Sequence, residues 1–285
     1  VSFKIVPKIN AAGRISHARI CVSQLMATDI SNAERTASLL NNLNTKRQKI
    51  EQKIILDIEN RLLKNPRLLD NKLLFLWDDN WDPSVLGIAA SKLSKKYYCP
   101  VILMSCIYEH AIGSGRSIND INIYKALLDS ENLLEKFGGH AMASGLTVKK
   151  DNLQLLNQNL NRHMEKTYSK KDFQKSMIVD AVLDLDDVNF NLAKEIDRLR
   201  PFGVANREPI FICENVRVVS SYIMGNYHRK MVLEKAVPLC RHQVEAFHFN
   251  ISDPDDLAEY YPKIAFKLKI NKFKATAAQI IIEDF

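Results

Sequence analysis

The stretch Phe137-Gly138-Gly139-His140-Ala141-Met142-Ala143-Ser144-Gly145 joins two glycines to a histidine and a run of mostly small residues. Adjacent glycines permit positive φ angles and let a ligand approach the backbone closely. The histidine that follows is the side chain whose unperturbed pKa lies nearest neutrality. Taken alone, the stretch is as compatible with a plain surface turn as with a binding site.

A second polar motif, Gly113-Ser114-Gly115-Arg116-Ser117, lies upstream of the first. It places a guanidinium between hydroxyl groups on what the glycines predict to be a flexible loop. A planar guanidinium can bind phosphate through two parallel hydrogen bonds. A polar surface turn is again the alternative, but the two motifs together favour a site for a phosphate-bearing ligand.

Length and composition indicate a soluble protein of two or three domains, since the chain has 285 residues and is 46% hydrophobic. It contains no apolar run long enough to span a membrane and no secretory signal at its start. Its cysteines are scattered without a Cys-x-x-Cys pair, which predicts free thiols in a reducing cytoplasm. They are Cys21, Cys99, Cys106, Cys213 and Cys240.

The charge balance indicates a polyanionic partner. Lys and Arg number 40 against 33 Asp and Glu, which gives a net charge of +7. Nucleic acid is the favoured partner for such a chain. A coding bias toward Lys, Asn and Ile is the alternative explanation for the same excess.

A long polar helix is predicted after Ser31, which with Glu34 fits a capping box. Asn65-Pro66 is expected to end the helix. About thirty helical residues span roughly 45–50 Å, which suits a connector between domains. The predicted apolar stripe consists of Leu39, Leu43, Ile50, Ile54, Ile58 and Leu62.

An α/β pattern follows the long helix. Strands are predicted at 73–77 and 101–104, and helices at 83–96, 119–128 and 152–168. In this interpretation Ser114 to Ser117 form a loop. Gly138 to His140 form a turn that leads into the strand 145–148.

After Lys170 the pattern changes to one helix, at 191–199, and short alternating segments. Strands are predicted at 210–212, 216–219, 230–233, 244–249, 264–270 and 279–282. Several short strands with turns between them indicate a small barrel or sandwich. Basic residues alternate with apolar ones at Lys267, Lys269 and Lys272, as in an oligonucleotide-binding (OB) barrel.

At this point the chain resembles the C-terminal half of the RecJ family, the bacterial 5′→3′ single-strand-specific DNA exonucleases of the DHH phosphoesterase superfamily. The match covers the whole chain, and its stretches follow the family's order in four groups: the end of the DHH domain, the DHHA1 domain, the entry to the barrel and the last strands. The matching stretches are Pro7 to Arg14, Trp81 to Ser91, Gly113 to Ser117, Phe137 to Gly145, Leu199 to Gly203, Glu208 to Phe211, and Ile270 to Ile282.

The resemblance implies the fold class and the domain order. The fold class is α/β plus β: a long connector helix, an α/β DHHA1-like domain and a C-terminal OB-like barrel. The implied domains are the end of the catalytic DHH domain (1–30), the connector helix (31–66), the DHHA1 domain (67–170) and the OB-like domain (171–285).

The resemblance also implies the cofactor and the partners. Two Mn²⁺ or Mg²⁺ ions would be held by Asp and His motifs of the DHH domain, which we expect upstream of Val1. Asp184-Leu185-Asp186 matches an Asp-x-Asp pattern but lies in the wrong domain, and it is interpreted as a strand end. The implied partners are single-stranded DNA, a single-strand-binding protein and a RecQ-type helicase. The expected protein is a cytoplasmic monomer that acts in DNA repair and recombination.

Site residues follow from the matching motifs. His140 would donate to the scissile phosphate, while Arg14, Ser114 and Arg116 would hold the 5′-terminal phosphate. An ordinary salt bridge is the alternative for Arg14, and a buried histidine that only closes the turn is the alternative for His140. The other predicted substrate-binding residues are Gly115, Ser117, Gly138 and Gly139 in the same motifs, and His228 and Lys230 in a turn-like segment of the predicted barrel after Gly225. Tyr227 and Arg229 are further candidates in the barrel, where a solvated hairpin is equally compatible with the sequence.

Two departures from the family pattern occur after Trp81, where the family usually has His and then Gly. Here Asp82 and Ser84 take those positions, and an aspartate would place negative charge near a phosphate or metal site. Two alternatives therefore stay open: a non-catalytic single-strand-binding module, and a degraded or split exonuclease. A third kind of DHHA1 protein, a nanoRNA or cyclic-dinucleotide phosphodiesterase, is disfavoured by the predicted barrel.

Overall fold

A computed structural model describes residues 4–225, 227–237, 242–249, 251, 258–271, 274 and 277–285. Contacts divide the chain into two compact units, Val1–Lys175 and Ser176–Phe285, and each is considered by itself. Cys240 and Lys272 lie outside the described residues. The predicted architecture of an α/β part followed by a β-barrel is confirmed.

Three helices open the first unit: α1 (Val6–Ile15), α2 (Arg19–Leu25) and α3 (Ile30–Lys64). The long helix α3 confirms the long helix predicted after Ser31 and ends, as expected, before Pro66. None of the helices in the described ranges is both long and apolar enough to cross a membrane.

The beginning of α3 differs from the prediction. Asp29 is the N-cap, and its carboxylate accepts a hydrogen bond from Asn32 N at 2.7 Å. Ser31 donates its hydroxyl proton to the same carboxylate at 3.1 Å. The predicted capping box of Ser31 and Glu34 is therefore wrong, because the carboxylate just upstream satisfies the free backbone N–H group.

The apolar stripe of α3 is largely as predicted. Ile54, Ile58 and Leu62 are buried against the sheet and its neighbouring helix. Near the start of α3, however, Leu40 is buried and Leu39 is 44% exposed. The stripe shifts to Leu40 because this part of the helix packs against α1 and α2 rather than against the sheet.

The first unit contains a five-stranded sheet with the order β1-β2-β3-β5-β4. Its strands are β1 (Leu74–Asp78), β2 (Val101–Ile107), β3 (His110–Arg116), β4 (Leu134–His140) and β5 (Ala143–Lys149). Strands β1 and β2 are parallel and the other pairs are antiparallel. Strands β1 and β2 are almost continuously apolar because both faces of the sheet are covered.

Helices cover the two faces of this sheet. One face carries α3 and α4 (Leu86–Tyr97), and the other carries α5 (Ile123–Leu128) and α6 (Leu153–Thr167). A short 3-10 turn, Pro83–Val85, precedes α4 where the sequence predicted continuous helix.

Two further corrections concern the polar motifs. Ser114 to Arg116 form part of strand β3, and Gly138 to His140 end strand β4, so neither motif is a loop.

The second unit is a closed five-stranded barrel in the order β7-β8-β9-β11-β10, with β10 pairing back to β7. Strands β9 and β11 are parallel, and the short strand β6 pairs in parallel with the start of β7. The elements are β6 (Ala181–Val182), α7 (Phe190–Asp197), β7 (Phe211–Met224), β8 (His228–Lys235), β9 (Val244–Phe249), β10 (Tyr260–Ile270) and β11 (Ala278–Asp284).

The barrel is filled by inward-facing apolar residues, with Phe266 and Ile280 fully buried. The two segments predicted at 210–212 and 216–219 belong to the single strand β7. The sequence predicted two strands because the polar residues Glu214 and Asn215 interrupt the apolar pattern. In the structure the strand continues through them, with a positive φ at Asn215.

Candidate nucleic-acid interface

Strand register brings the two polar motifs of the first unit together. His140 pairs with Ala143, which pairs with Arg116, and Gly138 pairs with Gly145, which pairs with Ser114. Residues paired across neighbouring strands, and residues two apart along a strand, share one face of a sheet. We call the surface formed by Ser114, Arg116, Gly138, His140, Ala143 and Gly145 the glycine face.

The glycine face is open because its centre lacks side chains. A Cβ atom at Gly138 would meet nothing within 4 Å, and one at Gly145 would meet only the Gly113 carbonyl at 3.9 Å. His140 and Arg116 stand two strands apart, which is about 10 Å at the usual strand spacing. A ligand can therefore lie on the backbone between the imidazole and the guanidinium.

Arg116 lies against the first turn of α4. A Cβ atom at Gly87 would come within 2.7 Å of Arg116 Nη2 and 3.5 Å of Ser114 Oγ. The guanidinium also donates from Nη1 to the Gly115 carbonyl at 2.7 Å. The missing side chain of Gly87 thus leaves the space that Arg116 occupies.

Arg14 reaches the same region from the last turn of α1. Its Nη1 atom donates to the Ser84 carbonyl at 3.3 Å. Asp82 fixes that turn, because its Oδ1 atom accepts from Ser84 N at 2.9 Å and from Ser84 Oγ at 2.6 Å. The two departures from the family pattern therefore pair with each other, and hydrogen bonds from Ser84 already occupy the Asp82 carboxylate.

Electrostatics make this region attractive to an anion. Burial lowers the pKa of Arg116, and the nearby charge of Arg14 lowers it further. Across the described ranges, no carboxylate lies within ion-pairing distance of either guanidinium. Two like charges held close together without a counter-ion are stabilised by a bound anion.

The turn that meets both arginines is anchored to its surroundings. Trp81 is buried, and its indole Nε1 donates to Asp57 Oδ2 at 3.0 Å. The Trp81 carbonyl accepts from the buried Ser105 hydroxyl at 2.6 Å. Arg61 lies 5.0 Å over the indole ring and pairs with Asp57 at 2.8 Å. These contacts fix the turn to α3 and β2, so its distance from the sheet is set by the fold.

His140 is exposed at the end of β4. The Met142 backbone N–H donates to His140 Nδ1 at 3.3 Å. In the neutral ring the proton is then assigned to Nε2, which can donate to a ligand. The predicted role as a hydrogen-bond donor fits this geometry.

Three predicted binding residues lie off the glycine face. Ser117 is buried and its hydroxyl donates to the Ile121 carbonyl at 2.7 Å, so its function is structural. Gly115 faces the core, where a Cβ atom would lie 2.5 Å from Ser144 Oγ. Gly139 has a φ of +137° and would drive a Cβ atom into the Ala143 carbonyl at 2.2 Å. Both glycines are required by packing, so only their backbone can contribute.

In the second unit, aromatic and cationic side chains share the outer face of β7, β8 and β9. Tyr222, Lys230 and Phe247 are paired in one row across the strands, and Met224, His228 and Phe249 in the next. The two phenylalanine rings are stacked at 6.0 Å with an interplanar angle of 10°. We call the surface of Tyr222, His228, Lys230, Phe247 and Phe249 the aromatic face.

Lys230 and His228 both contact the rings of the aromatic face. Lys230 lies 5.4 Å over the Phe247 ring and 6.0 Å over the Tyr222 ring, and it pairs with Glu245 at 3.3 Å. His228 packs edge-on against Phe249 at 5.2 Å. Tyr227 is 63% exposed beside them. The surface therefore offers rings for stacking together with a positive charge.

Other basic residues proposed for the barrel serve the fold instead. Arg229 is 2% exposed, and its guanidinium donates to the Tyr261 hydroxyl at 2.6 Å and the Ala258 carbonyl at 3.0 Å. Lys267 pairs with Glu283 at 2.7 Å. Lys269 pairs with Glu208. Arg229 is therefore excluded as a ligand contact, because its side chain points into the barrel.

Sequence reasoning missed Tyr222, Phe247 and Phe249. The signal was present in β9, where Val244 and Ala246 are buried while Phe247 and Phe249 alternate with them. An aromatic residue on the polar side of an alternating strand indicates a surface that binds something. Asp184, interpreted from the sequence as a strand end, caps a 3-10 turn and pairs with Lys235.

The described residues do not fit a metal centre. Over the described ranges, no group of three His, Cys, Asp or Glu side chains is placed to hold a metal ion. No step that depends on Mn²⁺ or Mg²⁺ can be derived from these residues.

Family comparisons agree with the two units. The model described as the DHHA1 domain matches residues 70–166, and the model described as the RecJ OB domain matches residues 179–284. In both cases the matched range contains the surface described above, the glycine face in the first and the aromatic face in the second.

Individual relatives extend the match over the chain. The single-stranded-DNA-specific exonuclease RecJ of Bacillus subtilis is 35% identical over 218 residues, 75% of this chain and 27% of that protein. The protein of the same name from Haemophilus influenzae is 29% identical over 295 residues, 100% of this chain and 51% of that protein. The chain thus spans about half or less of the length of these curated relatives.

A solved structure shows the same fold. The crystal structure of Thermus thermophilus RecJ in complex with Mn²⁺ matches with a TM-score of 0.75 at 25% identity, over 99% of this chain and 40% of that chain. Both domain models, relatives along the whole chain and this structure point to one family. The chain belongs to the RecJ family, of which it carries the DHHA1 and OB domains.

Proposed function

We propose that the chain is the substrate-binding part of a single-stranded-DNA-specific 5′→3′ exonuclease that acts in DNA repair and recombination. Such an enzyme hydrolyses phosphodiester bonds and releases 5′-mononucleotides. The observation that carries the proposal is the placement of Arg14 on the Ser84 carbonyl and of Arg116 against Gly87, both beside the open glycine face. The relatives named above, which are exonucleases specific for single-stranded DNA, support the same substrate.

The two arginines and Ser114 form the pocket for a 5′-terminal phosphate. A terminal phosphate carries more negative charge than an internal diester and exposes three oxygens. Arg116 is restrained by Gly87 and Gly115, and Arg14 by the Ser84 carbonyl. Restrained guanidiniums lose little freedom on binding, so they select the end of a strand over its interior.

His140 lies across the glycine face from Arg116 and acts on the next phosphate of the strand. Its Nε2 proton can donate to a non-bridging oxygen where negative charge develops during cleavage. Gly138 and Gly145 let the sugar-phosphate backbone lie directly on the sheet between the two groups. The glycine face thus holds the strand in one direction, with its 5′ end at the arginines.

The aromatic face binds the strand away from its end. Stacking of bases on Phe247, Phe249 and Tyr222 is tolerant of sequence, because every base has a π face. Lys230 supplies positive charge between the rings, and His228 packs against Phe249 beside it. Binding through stacking favours single strands, whose bases are accessible, over duplex.

The proposal assigns residues 1–30 to the end of the catalytic DHH domain and 31–66 to the connector. Catalytic Mn²⁺ or Mg²⁺ would be bound by that domain's Asp and His motifs, as the resemblance implies. A single-strand-binding protein and a RecQ-type helicase are proposed partners, and a cytoplasmic monomer is the proposed state.

Binding to labelled oligonucleotides tests the proposal. Fluorescence anisotropy would compare a 5′-phosphorylated single strand, the same strand with a 5′-hydroxyl, and the matching duplex. We expect the order phosphorylated strand, hydroxyl strand, duplex. Equal affinity for both ends would favour the alternative, a non-catalytic single-strand-binding module, and equal affinity for duplex would contradict both.

A further inference from the structure

Glu245 on β9 receives two lysine side chains at a single oxygen. Lys274 Nζ lies 2.7 Å and Lys230 Nζ lies 3.3 Å from Glu245 Oε1. The second oxygen, Oε2, accepts from Asn271 Nδ2 at 3.0 Å. The carboxylate therefore joins the strand β8 to the connection between β10 and β11, from which Lys274 and Asn271 come.

This cluster adjoins the aromatic face. Glu245 lies two residues from Phe247 on the same side of β9. Lys230 bridges the two, since its ammonium group is over the Phe247 ring and paired with Glu245. A strand whose bases stack on Phe247 and Phe249 would place its backbone phosphates beside these lysines.

We propose that Lys230, Lys274 and Asn271 form a subsite for an internal phosphate of the strand, and that Glu245 occupies this subsite when no strand is bound. Two ammonium groups and an amide N–H converging on one anion are the donor set that a phosphodiester requires. The carboxylate takes the position of the phosphate. This inference rests on the proposed function, because it assumes a single strand on the aromatic face.

The exchange is energetically reasonable. The lysines lower the pKa of Glu245, Lys274 first, and the pairing with Glu245 raises the pKa of Lys230, so Glu245 and Lys230 are both charged near neutral pH. Lys274 is 61% exposed and Lys230 and Glu245 are partly exposed, so water screens these ion pairs. Exposed pairs are weak, and an incoming phosphate can displace the carboxylate.

Occupation by Glu245 would weaken nonspecific anion binding. A single phosphate or a short fragment has to break both ion pairs without help. A strand that also stacks its bases on Phe247 gains enough free energy to do so. The carboxylate thus makes charge-driven binding depend on stacking, which favours strands with accessible bases.

The test replaces Glu245 by Gln in the full chain and measures binding of a labelled oligothymidylate by anisotropy. Gln keeps an oxygen that can accept from Asn271 but removes the charge. The control is Glu214→Gln, which removes a carboxylate paired with Lys263 at 3.0 Å on β7 and β10 and changes the net charge equally. We expect Glu245→Gln to bind about two- to thirtyfold more tightly than wild type, since two exposed ion pairs no longer compete.

A second measurement separates occupation of the subsite from a general charge effect. Lys274→Met should weaken binding more in the Glu245→Gln background than in wild type, because only there is the lysine free for phosphate. Thermal melting would show that each variant is folded. Equal gains from Glu245→Gln and Glu214→Gln, or an equal effect of Lys274→Met in both backgrounds, would overturn the inference alone. Absence of binding by wild type and by Glu245→Gln would overturn the proposed function with it.

Discussion

The guanidinium of Arg116 fills the space that a side chain on Gly87 would need. A Cβ atom on Gly87 would come within 2.7 Å of Arg116 Nη2 and 3.4 Å of Arg116 Cζ. Gly87 is buried in the first turn of α4, so the helix cannot move away easily. The position of the guanidinium is therefore set by the absence of a side chain on a neighbouring helix. If Arg116 binds the strand end, Gly87 determines where it does so.

Gly87→Ala should displace Arg116 and reduce the preference for a 5′-phosphate about tenfold, since a misplaced guanidinium loses most of a charge-assisted contact. Helix propensity alone would make the same change slightly stabilising. Competition between phosphorylated and hydroxyl oligonucleotides measures the preference. Gly203→Ala is the control, because a Cβ atom there meets nothing within 4 Å. An unchanged preference in Gly87→Ala would separate Arg116 from end recognition.

Binding of single strands should weaken with salt. Each phosphate neutralised contributes a slope of roughly −0.7 to the logarithm of affinity against the logarithm of salt concentration. Truncation after Lys175, where contacts divide the chain, should remove most of the affinity for long strands because it removes the aromatic face. A salt-independent affinity would show that the net charge of +7 is incidental to binding. An affinity that survives the truncation would show that the barrel does not carry the binding.

Acid should destabilise the barrel in part through His248. Burial, and then the charge of Arg229, lower the pKa of His248 below its usual value of 6.5. The folded state thus favours the neutral ring. Its contribution to stability is complete above the unfolded pKa and is lost as pH falls below it, because only the unfolded chain takes up the proton there. Asp284 and Glu283 oppose this shift but do not reverse it.

We expect the melting temperature of the wild type to decrease as the pH is lowered from about 7 to about 5. The decrease should be smaller in His248→Gln. His17→Gln is the matched control, because His17 is exposed on the surface of the other unit. Identical pH profiles for wild type and His248→Gln would remove this histidine from the acid response.

How far the sequence predicts the fold depends on how local the decisive contacts are. Strands β1 and β2 were predicted because their apolar runs are continuous, and β9 matched its predicted range because its residues alternate. Strand β3 was predicted as a loop because Gly113, Ser114 and Gly115 disfavour strands. Packing overrides that preference: a Cβ at Gly113 would lie 2.0 Å from Met104 Sδ, so the strand needs glycine there.

The candidate site shows the same limit. Arg14, Ser114, Arg116 and His140 were identified from motifs, and strand register then placed the last three on one face. The pairing of Glu245 with Lys230 and Lys274 could not be predicted, because it joins three separate parts of the barrel. Burial of Arg229 depends on the inward direction of alternate β8 residues, which only the closed barrel defines.

The chain alone should release no mononucleotides from 5′-phosphorylated single-stranded DNA in the presence of Mn²⁺. The physical reason is that two-metal hydrolysis needs carboxylates that hold the ions about 3.5–4 Å apart. The described residues offer no such cluster. Gel analysis of the products, with a known nuclease as positive control, measures this. Steady release of mononucleotides by protein free of contaminating nuclease would contradict the expectation.

Arg116 itself provides the most direct test of strand-end recognition. Arg116→Ala should abolish the preference for a 5′-phosphate over a 5′-hydroxyl. A charge-assisted contact of this kind is worth on the order of 1.5–3 kcal/mol, or about ten- to a hundredfold in affinity. Arg116→Lys should restore only part of the preference, because an ammonium group is a point charge without the planar fork of a guanidinium.

The control for Arg116→Ala is Arg35→Ala, which removes an exposed arginine that donates to Asn32 on α3. Long strands should lose much less affinity than short ones in Arg116→Ala, since their contacts with the aromatic face are unaffected. Because the pocket can depend on a catalytic domain, the comparison is best repeated with a DHH domain fused ahead of the chain. If Arg116→Ala weakens phosphorylated and hydroxyl ends equally in both settings, Arg116 is a general backbone contact. The convergence with Arg14 would then serve binding of the strand and not recognition of its end.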